Sequence, residues 1–188
     1  MNKEVIKTGS FESIPGKILI LGSRATANSL RRGMYYTSDE SGNIIWDILD
    51  DAFSDIHTNF KDLQHQLINL FDSGKDITGI KKQMIDLLAK CNIGLSDVLF
   101  ECESTDSLDT SIQNGIVNPK LEALCTNADV VLLNGGTAAK FFKKECKKWK
   151  HTINFFVMPS TSNTPGRYVK PKSTRIEEWS EMIRRYRK

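Results

Sequence analysis

Three stretches of this 188-residue sequence gather side chains able to do chemistry, and each follows an apolar run. The first, Gly22 to Trp46, opens on Gly22-Ser23-Arg24, carries the pair Tyr35-Tyr36 and reaches Asn43. The second is Asn134-Gly135-Gly136-Thr137, and the third runs from Pro159 to Tyr168. An amide such as Asn43 can accept a hydrogen bond from water while its own donor group holds it in place. A tyrosine ring, Tyr36, offers a flat surface for stacking, with Tyr35 expected to pack inward. Glycine lets a ligand approach the backbone, so the N–H groups of Gly22 and Ser23 could donate to a carbonyl. Asn134 can both give and receive hydrogen bonds. Each residue also has a plainer use: Asn43 as a helix N-cap, the tyrosines as loop packing, Asn134 as a turn residue.

Other chemistries find little support. The four cysteines (Cys91, Cys102, Cys125, Cys146) form no CxxC pair, and no histidine stands at zinc-ligand spacing, so they read as buried or idle thiols. His57 and His65 read as surface residues. Asp47, Asp50 and Asp51 could ligate a metal, but they fit the solvated face of an amphipathic helix. Gly22 to Gly33 matches neither the dinucleotide nor the P-loop glycine spacing. No metal, no cofactor and no covalent lysine intermediate are expected. Charge is uneven: residues 140–188 hold 14 Lys+Arg against 4 Asp+Glu (+10), and residues 1–139 hold 12 against 19 (−7). A basic final third on an acidic body suggests a polyanion-binding face, or else a solvated helix surface.

The elements that must position these residues follow from periodicity. Lys17 to Leu21 reads as a buried strand, and Gly22 to Gly42 as a loop. Asn43 to Phe53 reads as a helix with Ile44, Ile45, Ile48, Leu49 and Ala52 inward. Residues 56–73 and Ile77 to Lys90 give two more amphipathic helices. Ile93 to Phe100 is an apolar run with one internal charge, Asp97. Asn118-Pro119 starts a short helix, and Ala128 to Leu133 is a second buried strand. A helix from Ala138 to Trp149 carries Lys140, Lys143, Lys144, Lys147 and Lys148. Thr152 to Met158 is a third strand, and Ile176 to Tyr186 a last helix. Residues 1–16 read as an arm or edge segment. Apolar strands alternating with helices predict an α/β fold: a three-layer α/β/α sandwich with a central, mostly parallel four-stranded sheet, in one domain over residues 1–188. Sites of such folds lie at the carboxyl ends of the strands, where the three stretches would converge. No apolar run approaches the roughly 20 residues of a membrane-spanning helix. The N-terminus lacks a secretory signal's apolar core, and a cytoplasmic location is expected.

In this order, the three stretches resemble the uracil-DNA glycosylase superfamily, and most of all its mismatch-specific and hypoxanthine-DNA glycosylase branch. The residues carrying the likeness are Gly22-Ser23, Ser29-Leu30, Tyr35-Tyr36, and Asn43 with Trp46. Next come Gly94-Leu95, Asp97-Val98, Ser107-Leu108-Asp109, Asn134-Gly135 with Thr137-Ala138, and Pro159-Ser160-Thr161-Ser162. The resemblance implies a monofunctional DNA glycosylase that hydrolyses the N-glycosidic bond of a flipped-out deaminated or modified base: uracil, hypoxanthine or a modified pyrimidine. Asn43 would position the water. Gly22, Ser23, Tyr36 and Asn134 would bind the base. Arg24, Ser160, Ser162, Arg167, Lys170 and Lys172 would bind DNA, with Arg175 adding a phosphate contact. The partner would be duplex DNA carrying a damaged or modified base, with single strands left open. The protein would act as a monomer, away from membranes, in a bacterial or viral-type intracellular setting and on the nucleoid through its DNA.

The sequence departs from the family pattern in places. Arg24 stands where several relatives carry a catalytic Asn or Asp, and Ala25 where the branch has proline. Asn43 lies two residues further from Tyr36 than expected, so Asp39 and Glu40 are alternative water-activating groups. Ser96 replaces a common tryptophan, and residues 56–73 look like added length. Arg24 raises the expectation of a larger or anionic modified base. Two other readings remain: a catalytically impaired nucleic-acid-binding protein on the same fold, and a hydrolase of free nucleosides or nucleotides.

Overall fold

The structure, a computed structural model, describes residues 4–7, 12–38, 42–104, 112–163 and 169–187. In chain order the elements are β1 (Glu4–Lys7), β2 (Ile18–Gly22), α1 (Ala27–Arg32), α2 (Ile45–Ala52), α3 (Phe60–Asp72), α4 (Thr78–Lys90), β3 (Ile93–Asp97), β4 (Leu99–Ser104), β5 (Gln113–Val117), α5 (Leu121–Asn127), β6 (Val130–Asn134), α6 (Gly135–Cys146), β7 (Phe155–Met158) and α7 (Lys172–Tyr186). The expected four-stranded sheet is present, in the order β3-β2-β6-β7, and every pairing in it is parallel.

Its apolar runs are continuous because both faces are covered. Ile18, Ile20, Val130, Leu132, Ile93 and Leu95 point into a core shared with α2, α3, α4 and α7. Leu19, Leu21, Val131 and Leu133 point into a second core built with α5 and α6. Trp46 and Trp179 are the largest fully buried side chains. Cys91, Cys102 and Cys125 are buried in three different clusters. Burial pushes the Cys91 thiol up to about 11 and the Cys125 thiol up to about 12, so both stay protonated at neutral pH. No described helix is long and apolar enough to cross a membrane.

Several sequence expectations need correction. A second, three-stranded antiparallel sheet, β1-β4-β5, was not anticipated. Its strands are short and polar (Glu101, Glu103, Gln113, Asn114), so no apolar alternation marks them. The run Ile93–Phe100 is two strands in two sheets, parted at Val98. Gly22 to Gly42 is not all loop, because α1 lies within it. Thr26 caps α1 by accepting from the Ser29 N–H at 3.2 Å, and Gly33 ends it at φ 61°. Asn134–Thr137 is not a loop, because α6 starts at Gly135 directly from β6. The φ of 85° at Gly135 makes that abrupt turn possible. α7 starts four residues earlier than expected, after Pro171. The acids of α2 are not simply solvated. Asp50 accepts from the Phe60 and Lys61 N–H groups at 2.8 and 2.9 Å, capping α3 from a neighbouring helix. Asp47 pairs with Lys61 and Lys172, and Asp51 with Arg184. The expected helix start at Ser107-Leu108-Asp109 lies outside the described residues.

The open edge of β3 is closed by the chain before β2. Ile14 and Leu95 exchange both backbone hydrogen bonds, at 2.9 and 2.8 Å. Gly16 and Gly94 face each other there so closely that a Cβ on Gly94 would lie 2.7 Å from the Gly16 nitrogen. Gly94→Ala is expected to force these backbones apart and to cost about 1–3 kcal/mol, read as a lower urea midpoint of unfolding.

Candidate active site

The carboxyl ends of the parallel strands place a polar row on the α2/α7 side of the sheet. Gly22 pairs with Asp97, and Asn134 with Met158. By strand alternation, Asp97 and Asn134 point to the same side as Leu95 and Leu132. Between them Gly22 has no side chain, and the space is taken. A Cβ there would lie 2.3 Å from Asp97 Oδ1 and 3.2 Å from the Tyr36 hydroxyl. Glycine is thus required at position 22 by a carboxylate and a phenol of this chain. The carbonyls of Gly22 and Ser23 accept from the Val98 and Leu99 N–H groups. Ser23 and Arg24 are each 8% exposed, and Arg24 Nη1 donates to the Ala25 carbonyl at 3.4 Å.

The tyrosine pair follows α1. Tyr35 is buried, with its hydroxyl beside Ser13 and Ser96. Burial first, then the Asp97 charge, raises its pKa well above the usual phenol value, so it stays neutral. Tyr36 is half-buried and holds a left-handed backbone, φ 54°. Its carbonyl accepts from Trp46 Nε1 at 3.0 Å and from Gln64 Nε2 at 3.3 Å. Arg32, itself buried, donates to the carbonyls of Thr37 and Ser38 and pairs with Asp72 at 2.8 Å. Three donors on this loop's described carbonyls, Arg32, Trp46 and Gln64, are buried side chains.

Asn43 sits just before α2. The N-cap of α2 is Ile44 and not Asn43 as expected; the Asn43 Oδ1 accepts from the Ile45 N–H at 3.0 Å from one position earlier, and its Nδ2 makes no hydrogen bond among the described residues. The amide is therefore held by its oxygen, the reverse of the orientation expected from sequence. The backbone around it is zipped to the third stretch. Asn43 forms a bridge with Ser162, Ile44 N–H donates to Thr161 at 3.0 Å, and Asn163 N–H donates to Gly42 at 3.1 Å. Asn134 joins the same knot: its Nδ2 donates to Thr161 Oγ1 at 2.7 Å, and its Oδ1 accepts from the Thr161 N–H at 2.9 Å. Among the described residues, one N–H and one lone pair of Asn134 are left without a partner.

The sequence reading missed what holds the third stretch. Arg175, 4% exposed, donates to the carbonyls of Ser160 and Ser162 and to Asn163 Oδ1 at 2.8–3.0 Å. Desolvation lowers its pKa. Trp179 Nε1 donates to the Pro159 carbonyl at 2.8 Å. The guanidinium of Arg175 is thus spent inside the protein and is not a phosphate contact. Of the other cations, Lys170 pairs with Glu178, and Lys172 with Asp47 at 3.1 Å, all at the surface. Ser160 is exposed and Ser162 half-buried; Arg167, Asp39 and Glu40 lie outside the described residues. Asp97 was also missed as a site group. Its signal was in view, as the one charge in an otherwise apolar run.

Comparison with known proteins identifies the family and the fold. The model of the uracil DNA glycosylase superfamily matches residues 10–182. The solution NMR structure of a candidate uracil DNA glycosylase from Methanosarcina acetivorans aligns with a TM-score of 0.66 at 21% identity, covering 97% of this chain and 99% of that one. At that identity the likeness speaks for the fold. No curated protein matches the sequence.

Thr161 is the knot's centre, fully buried and bonded to Asn134 through both its backbone and its side chain. Thr161→Val keeps the shape and strands the Asn134 donor. It is expected to cost about 1–3 kcal/mol in urea unfolding.

Proposed function

Because this chain belongs to the uracil DNA glycosylase superfamily, we propose that it is a monofunctional DNA glycosylase hydrolysing the N-glycosidic bond of a flipped-out deaminated or modified base. The observation that carries this reading is the knot itself. Backbone pairing of Asn43 with Ser162 joins the amide proposed to position the water to the segment proposed to face DNA. A base must leave the duplex before its glycosidic bond can be reached, and these parts would receive it.

Bond cleavage sends the electron pair to the base and leaves positive charge on the sugar. Catalysis then requires a positioned water near the anomeric carbon and donors near the base. Asn43 would hold that water through Nδ2, the end of the amide left open in the fold. Tyr36 would stack on the base, a contact worth about 1–3 kcal/mol and tolerant of different bases. Gly22, Ser23 and Asn134 would border the base edge. Asp97 adds a selective element. Uracil and hypoxanthine present a ring N–H that a carboxylate accepts, where cytosine and adenine present a bare ring nitrogen that it repels. Arg24, a buried cation following Gly22-Ser23, would favour a larger or anionic modification on the base.

Ser160, Ser162, Arg167, Lys170 and Lys172 would meet the DNA backbone, as duplex or single strand. The pairs made by Lys170 and Lys172 are exposed, and such pairs hold their members weakly enough for phosphate to take over. We take the protein to act as a monomer inside the cell.

The test is a set of duplexes, each with one uracil, hypoxanthine or modified pyrimidine, assayed for abasic sites by alkaline cleavage. Activity on at least one is expected, and Asn43→Ala should lower its rate about a hundredfold or more. Binding to every duplex with no abasic product would instead favour the non-catalytic reading, which the arginine at position 24 makes specific. Arg24→Ala should change the order of preference among the bases. Unchanged rates on all of them would remove Arg24 from substrate choice.

A further inference from the structure

We infer that helix α3 (Phe60–Asp72) is a splint for the base platform, and that Gln64 is its positioning residue, acting through the Tyr36 carbonyl. The inference rests on the glycosylase reading and concerns a segment that the sequence marks as added length.

Tyr36 holds a left-handed backbone that residues with side chains rarely adopt, so the conformation persists only where its surroundings impose it. Two buried donors do so, Trp46 Nε1 at 3.0 Å and Gln64 Nε2 at 3.3 Å, both on the Tyr36 carbonyl. That turn sets the Tyr36 hydroxyl against Gly22, the end of the central strand. Gln64 is 0% exposed on a helix whose other inward residues are Phe60, Leu63, Leu67 and Ile68. A leucine there would serve the core, whereas a buried amide is costly unless it is used. Its Nε2 is used on the loop, at the Tyr36 carbonyl.

The rest of α3 is fixed so that Gln64 cannot drift. Asp50 of α2 caps its first turn through the Phe60 and Lys61 N–H groups. Phe60 stacks on Trp46, the other donor, with centroids 5.8 Å apart and planes at 30°. At the far end Asp72 pairs with Arg32 at 2.8 Å, and the Arg32 guanidinium lies over Phe71. Arg32 in turn holds the carbonyls of Thr37 and Ser38. α3 thus holds the tyrosine loop directly at Tyr36 and, through Arg32 of α1, at Thr37 and Ser38.

The test measures binding to two duplexes. One carries a 2′-fluoro deaminated nucleotide, whose electron-withdrawing fluorine suppresses the cationic sugar and so prevents cleavage. The other carries a stable abasic analogue with no base to stack. Wild type should prefer the first, and Tyr36→Ala should remove the preference. Absence of a wild-type preference overturns the platform and the splint together. With the preference present, Gln64→Leu should reduce it about tenfold while affinity for the abasic duplex and the thermal midpoint stay close to wild type. Equal loss on both duplexes, or an intact preference, overturns the splint alone. In Gln64→Glu the carboxyl can donate to the Tyr36 carbonyl only when protonated. Its preference should therefore recover as pH falls from about 8 to about 5.5, since burial raises a carboxyl pKa. A pH profile parallel to wild type would contradict the inference.

Discussion

A carbonyl buried without a donor costs about 1–3 kcal/mol, and that constraint shapes the upper end of this molecule. The chain leaves the parallel sheet in segments that lack ladders of their own. Their carbonyls are met by side chains reaching up from the packed helices: Arg32 from α1, Trp46 from α2, Gln64 from α3, and Arg175 and Trp179 from α7. Each donor is buried. The helices covering one face of the sheet therefore do two jobs. Their apolar stripes close the core, and a few polar residues within those stripes fix the backbone of the site.

The same constraint bears on the proposed chemistry. Asn43 is held rigidly because its oxygen closes the start of α2 and its backbone is bridged to Ser162. Among the described residues the donor end of the amide makes no hydrogen bond. Asn134 is committed to Thr161 over a separation of 27 residues, so the strand end and the third stretch move as a unit. An asparagine is no strong base, so under the proposed function a site built around Asn43 would depend on placement more than on proton transfer. Rigidity is what such a site needs, and the buried donors supply it.

Much of this was legible in the sequence, and the illegible parts share a physical cause. Ile18–Leu21 and Ala128–Leu133 announce themselves because strands buried on both faces must be apolar throughout. Their shared end, and hence the convergence of Gly22, Asn43, Asn134 and Ser160, follows from the fold class. The small sheet β1-β4-β5 was hidden because strands exposed on one side, with Glu101, Glu103, Gln113 and Asn114, carry little periodic apolar signal. Side chain to backbone bonds across long separations leave no periodicity at all. Arg175 and Lys172 look alike in a basic stretch, yet one is buried under the loop and the other lies at the surface on Asp47. Asp97 is the middle case. A lone charge in an apolar run was visible, but its contact with Gly22 emerges only from the strand register.

The most direct measurement is a crystal structure of the protein with a duplex carrying the non-cleavable 2′-fluoro form of its preferred deaminated base. The base should stand outside the duplex, stacked on Tyr36, with its edge toward Gly22 and Asp97 and its anomeric carbon facing Asn43. A base still stacked in the helix would contradict this account. So would DNA seated at the opposite end of the strands, over the cavity of about 340 Å³ lined by Lys17, Asp55, Asp129, Tyr186 and Arg187.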